Sequence, residues 1–228
     1  MNKLSVSMTR SESIAGWIYL PLQLLPIPMI ISIVNMIMGD PLSEAQLNFV
    51  YFCLNFLCLT VIFHRFILAN LKNAFSEMGR TLLSAVSGYA LYWGLAFAVS
   101  TFVLMVYPDF FNVNDDSISG MLAENRGLMI VGTVLLVPVA EELLYRGLVF
   151  RSLYGHSKFL AYAVSVVGFA ALHIVNYIGQ YDFFHLFLCF LQYLPAGICL
   201  GWAYVRADSI VAPILIHIFV NAMGILSM

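Results

Sequence analysis

The segment VPVAEELLYRGLVF, residues 137–150, places Glu141, Glu142 and Arg146 within six residues of a stretch that otherwise reads as lipid-soluble helix. An ionisable side chain at the centre of a spanning helix costs about 2.5–3.5 kcal/mol on insertion scales, so three together require a physical account. Glu142 and Arg146 are four residues apart, acid before base, and pair on one helical face. Glu141 is rotated about 100° from Glu142 and has Tyr145 as its own i+4 neighbour, so it must find a partner on another element or in water. Two further stretches carry polar groups at helical spacing. In GFAALHIV, Phe169 and His173 are four apart; in APILIHIFVNAMG, Pro213, His217 and Asn221 recur every four residues as one polar stripe. Polar groups at such depth face the bundle interior.

If these groups meet, they compose a hydrolytic set. Glu141 takes a proton from a water that His173 helps to hold, which makes a hydroxide-like nucleophile beside a peptide carbonyl. His217 and Asn221 donate hydrogen bonds to the oxygen that turns negative in the tetrahedral intermediate. At 1.5 Å per residue, Glu141 and His217 lie about 14 and 13 Å from the cytoplasmic ends of their spans, whereas His173 comes out near 20 Å. Helix tilt has to absorb that mismatch. Two His and one Glu also match zinc ligand types, but no HExxH sequence supplies both His from one helix.

The elements that must position these residues follow from composition. Hydrophobic residues make up 62% of the 228-residue chain and charged residues 10%, at a mean hydropathy of +0.92, which excludes a water-soluble domain of this size. The expected fold is all-α, a polytopic transmembrane helix bundle. With about 20 apolar residues per crossing there are seven candidate spans, at 13–38, 47–70, 84–107, 127–150, 159–177, 183–204 and 208–227. The Arg65 to Arg80 stretch has amphipathic spacing suited to an interfacial helix or a solvated loop. With no linker or low-complexity tract, 1–228 reads as a single membrane domain, in which 1–130 are accessory helices and 131–228 carry the polar motifs.

Lys3, Arg10, Arg65, Lys72, Arg80, Arg151, Lys158 and Arg206 fall at connections on one side. The other side carries Arg126 with Asp40, Glu44, Asp109, Asp115, Asp116, Glu124 and Asp182. The positive-inside rule therefore predicts a cytoplasmic N-terminus. The N-terminal run has no small-residue cleavage site, so its first helix is expected to remain. With no organelle-targeting extension, the expected location is the cell membrane, multi-pass. No basic stripe with interleaved aromatics is present, which excludes nucleic acid as a partner. Cys53, Cys58, Cys189 and Cys199 lack CxxC spacing and read as small buried hydrophobes.

The three polar motifs resemble those of the CAAX protease and bacteriocin-processing (Abi) family of intramembrane glutamic endopeptidases. They stand in the family's order as Glu141-Glu142-Leu-Leu-Tyr-Arg146, Phe169-Ala-Ala-Leu-His173 and His217-Ile-Phe-Val-Asn221. The resemblance covers about residues 135 to 225; residues 1 to 130 share only hydrophobic, helical character. It implies that Glu141 with His173 activates water, that His217 and Asn221 form the oxyanion hole, and that Glu142, Arg146 and Phe169 order the site. No metal or other cofactor follows from it. The implied substrate is a membrane-associated or lipid-modified peptide: a bacteriocin or other peptide in maturation and self-immunity, or a prenylated C-terminal tail. Two readings of another class stand beside this one. One is a non-catalytic membrane partner that regulates a sensor kinase or confers bacteriocin immunity. The other is a proton-coupled transporter, against which no internal repeat is visible.

Overall fold

The computed structural model describes residues 4–228, so Lys3 lies outside the described residues. The order is α1 (Arg10–Leu24), α2 (Pro26–Ile37), α3 (Glu44–Ile62), α4 (His64–Ser76), α5 (Met78–Val106), α6 (Val113–Glu124), α7 (Arg126–Tyr154), α8 (Lys158–Leu172), α9 (Phe183–Ala207) and α10 (Val211–Ser227). No strand occurs among the described residues. The protein is an all-α, multi-pass membrane protein.

The seven expected spans are not reproduced as seven long helices. Four helices, α3, α5, α7 and α9, are long and apolar enough to cross a bilayer, and α1 with α2 makes a fifth if the bent pair is one span. That pair bends by 46° because Leu25, at φ −132° and ψ −60°, precedes Pro26, which has no N–H and disfavours helix at the residue before it. The span expected at 47–70 is divided at the fully buried Phe63, at φ −101° and ψ 22°. Beyond this break α4 turns Phe66, Asn70 and Ala74 inward at four-residue spacing, a helix in place of the loop alternative. The Glu12 side chain accepts from Phe66 N at 2.8 Å and so satisfies one of the donors that a new helix start leaves open. The expected spans 159–177 and 208–227 are the short helices α8 and α10, of 15 and 17 residues. α8 ends at Leu172, and residues 174 to 182 return to α9 through a single 3-10 turn, Val175–Tyr177.

Outward faces present large apolar side chains such as Val86, Phe97 and Met105 of α5, as a lipid-contacting surface requires. The main buried cluster runs from Tyr19 and Leu59 through Leu143, Leu148, Phe150 and Phe169 to Tyr204 and Ile216, joining α1, α3, α7, α8, α9 and α10. His185, near the start of α9, is buried among the rings of Tyr107, Phe110, Phe111 and Tyr181, and its Nε2 bonds to Phe111 O at 2.9 Å. Those contacts pin the chain between α5 and α6 onto α9.

α8 and α9 approach most closely at Gly197. A Cβ there would lie 2.9 Å from Val166 Cγ1 and 3.1 Å from the backbone Cα of Val166, so a larger residue meets main chain that cannot swing away. At Gly201 the nearest atom is instead in the Tyr162 ring, at 3.1 Å. We therefore expect Gly197→Ala to destabilise the protein by about 1–3 kcal/mol, as overpacking does, and Gly201→Ala to cost less. Thermal unfolding in detergent, followed by reaction of the buried Cys189 and Cys199 with a fluorogenic maleimide, gives the comparison.

Candidate active site

The site lies in the middle of α7, which is not a regular α-helix. It is π-helical over Val131–Leu136 and again over Leu143–Phe150, with one and a half α-turns between them that carry Glu141 and Glu142. Local π turns often accompany functional positions because they re-aim side chains within a helix. Here the first has a sequence cause. Val137 N–H bonds to Gly132 O in the wide register, so the next bond would run from residue 138 to Thr133 O. Residue 138 is Pro, which has no N–H to give. Thr133 O is thereby left for a side chain, and Asn221 Nδ2 of α10 donates to it at 2.8 Å. An amide nitrogen has two hydrogens, so Asn221 keeps one N–H for another acceptor.

Glu142 and Arg146 form the pair that their spacing predicts. Arg146 Nη1 donates to Glu142 Oε1 at 2.7 Å, and both side chains are fully buried. The pair also reaches across three other helices, which the spacing did not disclose. Arg146 Nη2 donates to Gly197 O of α9 at 3.3 Å, and its guanidinium carbon lies 4.5 Å from the centre of the Phe169 ring of α8. Glu142 Oε1 accepts a second bond, at 3.0 Å, from Nδ1 of His217 on α10. A carboxylate bound to a guanidinium accepts only, so His217 Nδ1 is the donor and Nε2 points elsewhere.

Nε2 of His217 points to Glu141, whose Oε2 is 3.8 Å away and has no hydrogen-bond partner among the described residues. His173 caps the C-terminus of α8 instead of sitting within a span. Its Nδ1 bonds to Phe169 O at 2.9 Å, using one of the carbonyls a helix end leaves open and turning Nε2 outward. The Phe169 ring lies between the two imidazoles, at 4.8 Å from His173 and 5.6 Å from His217. The depth mismatch inferred from the sequence is resolved by the short α8, whose end comes down onto the site.

Glu141, Phe169, His173, His217 and Asn221 line one cavity of about 950 Å³; Glu142 and Arg146 do not. The two adjacent glutamates thus have different surroundings, one facing open space and one enclosed by a guanidinium and an imidazole. Among the described residues no three His, Cys, Asp or Glu side chains stand in metal-holding geometry.

Tyr193 of α9 also lines the cavity. Its ring stacks on His173 at 4.1 Å with an interplanar angle of 21°, and its hydroxyl donates to Asn112 Oδ1 at 3.0 Å. Asn112 caps α6 and donates to Gln192 Oε1 at 2.9 Å, so a chain of contacts joins His173 to α6 at the cavity mouth. The only trace of this in the sequence is the Gln192-Tyr193 pair, polar in an apolar run.

Residues 123–223 match the model of a protein family described as type II CAAX prenyl endopeptidase Rce1-like. The segment covers α7 to α9 and most of α10 and contains every motif residue, so the part of the chain that carries the motifs is similar to that family. That family is one of proteases. No curated protein and no solved structure matches the chain.

Removing one member of a fully buried ion pair strands the other charge and costs about 3–5 kcal/mol. Arg146→Met is therefore expected to lower the unfolding temperature in detergent sharply. Glu142→Leu/Arg146→Met should recover part of that loss, though not all, because His217 Nδ1 then has no acceptor. Pro138→Ala should leave stability unchanged or raised while its new N–H competes for Thr133 O; a shifted Asn221 side-chain amide signal in selectively labelled protein is the readout.

Proposed function

We propose that the protein is an intramembrane endopeptidase of glutamic type, which cleaves a membrane-associated or lipid-modified peptide by water activated at Glu141. The observation that carries this reading is Glu141, which lines a large cavity within an apolar bundle and whose buried Oε2, 3.8 Å from His217 Nε2, lacks a hydrogen-bond partner among the described residues. Glu141 removes a proton from water, aided by His173 Nε2, and the hydroxide attacks the scissile carbonyl. The oxygen of the tetrahedral intermediate receives the second N–H of Asn221 and an N–H from His217 Nε2. The C–N bond then breaks, and the proton held by Glu141 passes to the leaving amine, so the carboxylate is restored and water is consumed. Residues 131–228 act as the family core and the N-terminal helices as its scaffold, in a cell membrane with the N-terminus cytoplasmic. The substrate is a peptide in bacteriocin or other peptide maturation and self-immunity, or a prenylated tail.

Because Nδ1 of His217 is committed to Glu142, Nε2 donates only when the ring carries both protons.

Mass spectrometry of membrane peptides from cells expressing the wild-type or the Glu141→Gln protein tests the proposal. A fragment present with wild type and reduced at least about 100-fold with Glu141→Gln supports it, and Asn221→Ala should cost about 10²–10³ in rate. If folded Glu141→Gln, His173→Ala and His217→Ala proteins each yield the same peptides and phenotype as wild type, the protein acts as a membrane partner, of a sensor kinase or in immunity, without hydrolysis.

A further inference from the structure

The two ends of the bundle differ in a way that the proposed chemistry does not require. At one end the chain is laced shut. Ser5 N donates to Asp208 Oδ1 at 2.8 Å, and Arg151 donates through Nε to Val6 O at 3.0 Å and through Nη2 to Leu4 O at 3.1 Å. Asn73 Nδ2 donates to Asp208 O at 2.6 Å, and Asn70 binds both Ser209 Oγ and Ile210 N. Below this lacing the buried side chains of Phe66, Leu148, Phe150 and Tyr204 fill the space towards the site. Among the described residues the cavity receives none from this end. It is lined instead by the opposite halves of the helices and their connections, from Asn55 out to Glu44 on α3, from Tyr92 out to Ser100 on α5, and by Asp116, Tyr181 and Ser227 at its mouth.

Charge divides the same way. Arg10, Arg65, Lys72, Arg80, Arg151, Lys158 and Arg206 all belong to the laced end, whereas among the described residues Arg126 is the one basic side chain at the open end. An excess of Lys and Arg on short connections marks the cytoplasmic side. We infer that the cavity opens only to the non-cytoplasmic side, so that the substrate is a peptide presented at the outer leaflet. The second clause rests on the endopeptidase reading; the first does not.

Depth adds a constraint on that peptide. Fifteen residues of α7 separate Arg126 at the mouth end from Glu141, which at 1.5 Å per residue is about 22 Å. An extended peptide covers about 3.3 Å per residue, so about six or seven residues must enter before a bond reaches the carboxylate. The scissile bond therefore lies in an unfolded segment at least that far from any folded part of the substrate. A tail held at the cytoplasmic leaflet would meet the laced end.

Cysteine accessibility in intact cells tests the direction of opening. In a protein with Cys53, Cys58, Cys189 and Cys199 changed to Ala, three single variants are compared: Asp116→Cys at the mouth, Val220→Cys beside Asn221 in the cavity, and His156→Cys beyond the laced end. A small membrane-impermeant thiosulfonate is expected to modify the first two in intact cells and the third only after permeabilisation. Modification of His156→Cys from outside, with Asp116→Cys and Val220→Cys protected until the cells are opened, would overturn the inference. A second measurement keeps the native cysteines: an epitope tag added after Met228 should be removed by external protease from intact cells, and a tag that survives until permeabilisation counts against the proposal. Neither readout needs turnover. An inactive protein labelled from outside thus removes the endopeptidase reading alone, and an active protein labelled only after permeabilisation removes the access inference alone.

Discussion

Everything at the centre of this bundle depends on how two buried charges are kept in contact. Glu142 and Arg146 are enclosed completely, where an isolated charge is far more costly than any packing gain could offset. Each therefore recruits neighbours, and the neighbours are the helices of the site. Arg146 holds α9 through Gly197 O and α8 through the Phe169 ring, while Glu142 holds α10 through His217. The satisfaction is incomplete, since Arg146 Nε and Glu142 Oε2 have no partner among the described residues. The remaining contacts are correspondingly important, because a further loss leaves another buried polar atom bare.

This explains why adjacent glutamates take opposite roles. A rotation of about 100° between neighbours on a helix turns Glu142 into the bundle and Glu141 into the cavity. Glu142 commits Oε1 to Arg146 and His217 in an enclosed setting, so it orients; Glu141 lines the cavity with no such ion pair holding it, so it is free to bind and exchange a proton. The wide turns on either side, and the missing N–H of Pro138, adjust the same helix so that a main-chain carbonyl can hold Asn221. A regular α-helix through residues 131 to 136 would have used its own carbonyls internally.

Helix lengths were read less well than helix identity. Hydropathy marks apolar runs without showing whether a run is one rod, and here Pro26 and Phe63 interrupt two of them. The break at Phe63 has no composition signal: it is paired with the distant Glu12, whose carboxylate accepts from the first turn of α4. The end of α8 at Leu172 was hidden as well, since the apolar run continues past His173 into Ile174 and Val175 while the backbone turns away.

By itself the sequence determined that the protein is an all-α membrane bundle, that Glu142 and Arg146 pair, and which residues carry polar chemistry into the bilayer. These follow from composition and from spacing within single helices, where neighbours four residues apart must meet. The tertiary structure alone decided that Glu142 rather than water binds His217 Nδ1, that Tyr193 stacks on His173, and that Glu141, His173, His217 and Asn221 line one cavity. Each of these joins residues about 20 to 80 positions apart. No periodicity in one helix records the rotation and depth at which another packs against it; that is settled by the closest approach the side chains permit and by the demand that buried polar groups find partners.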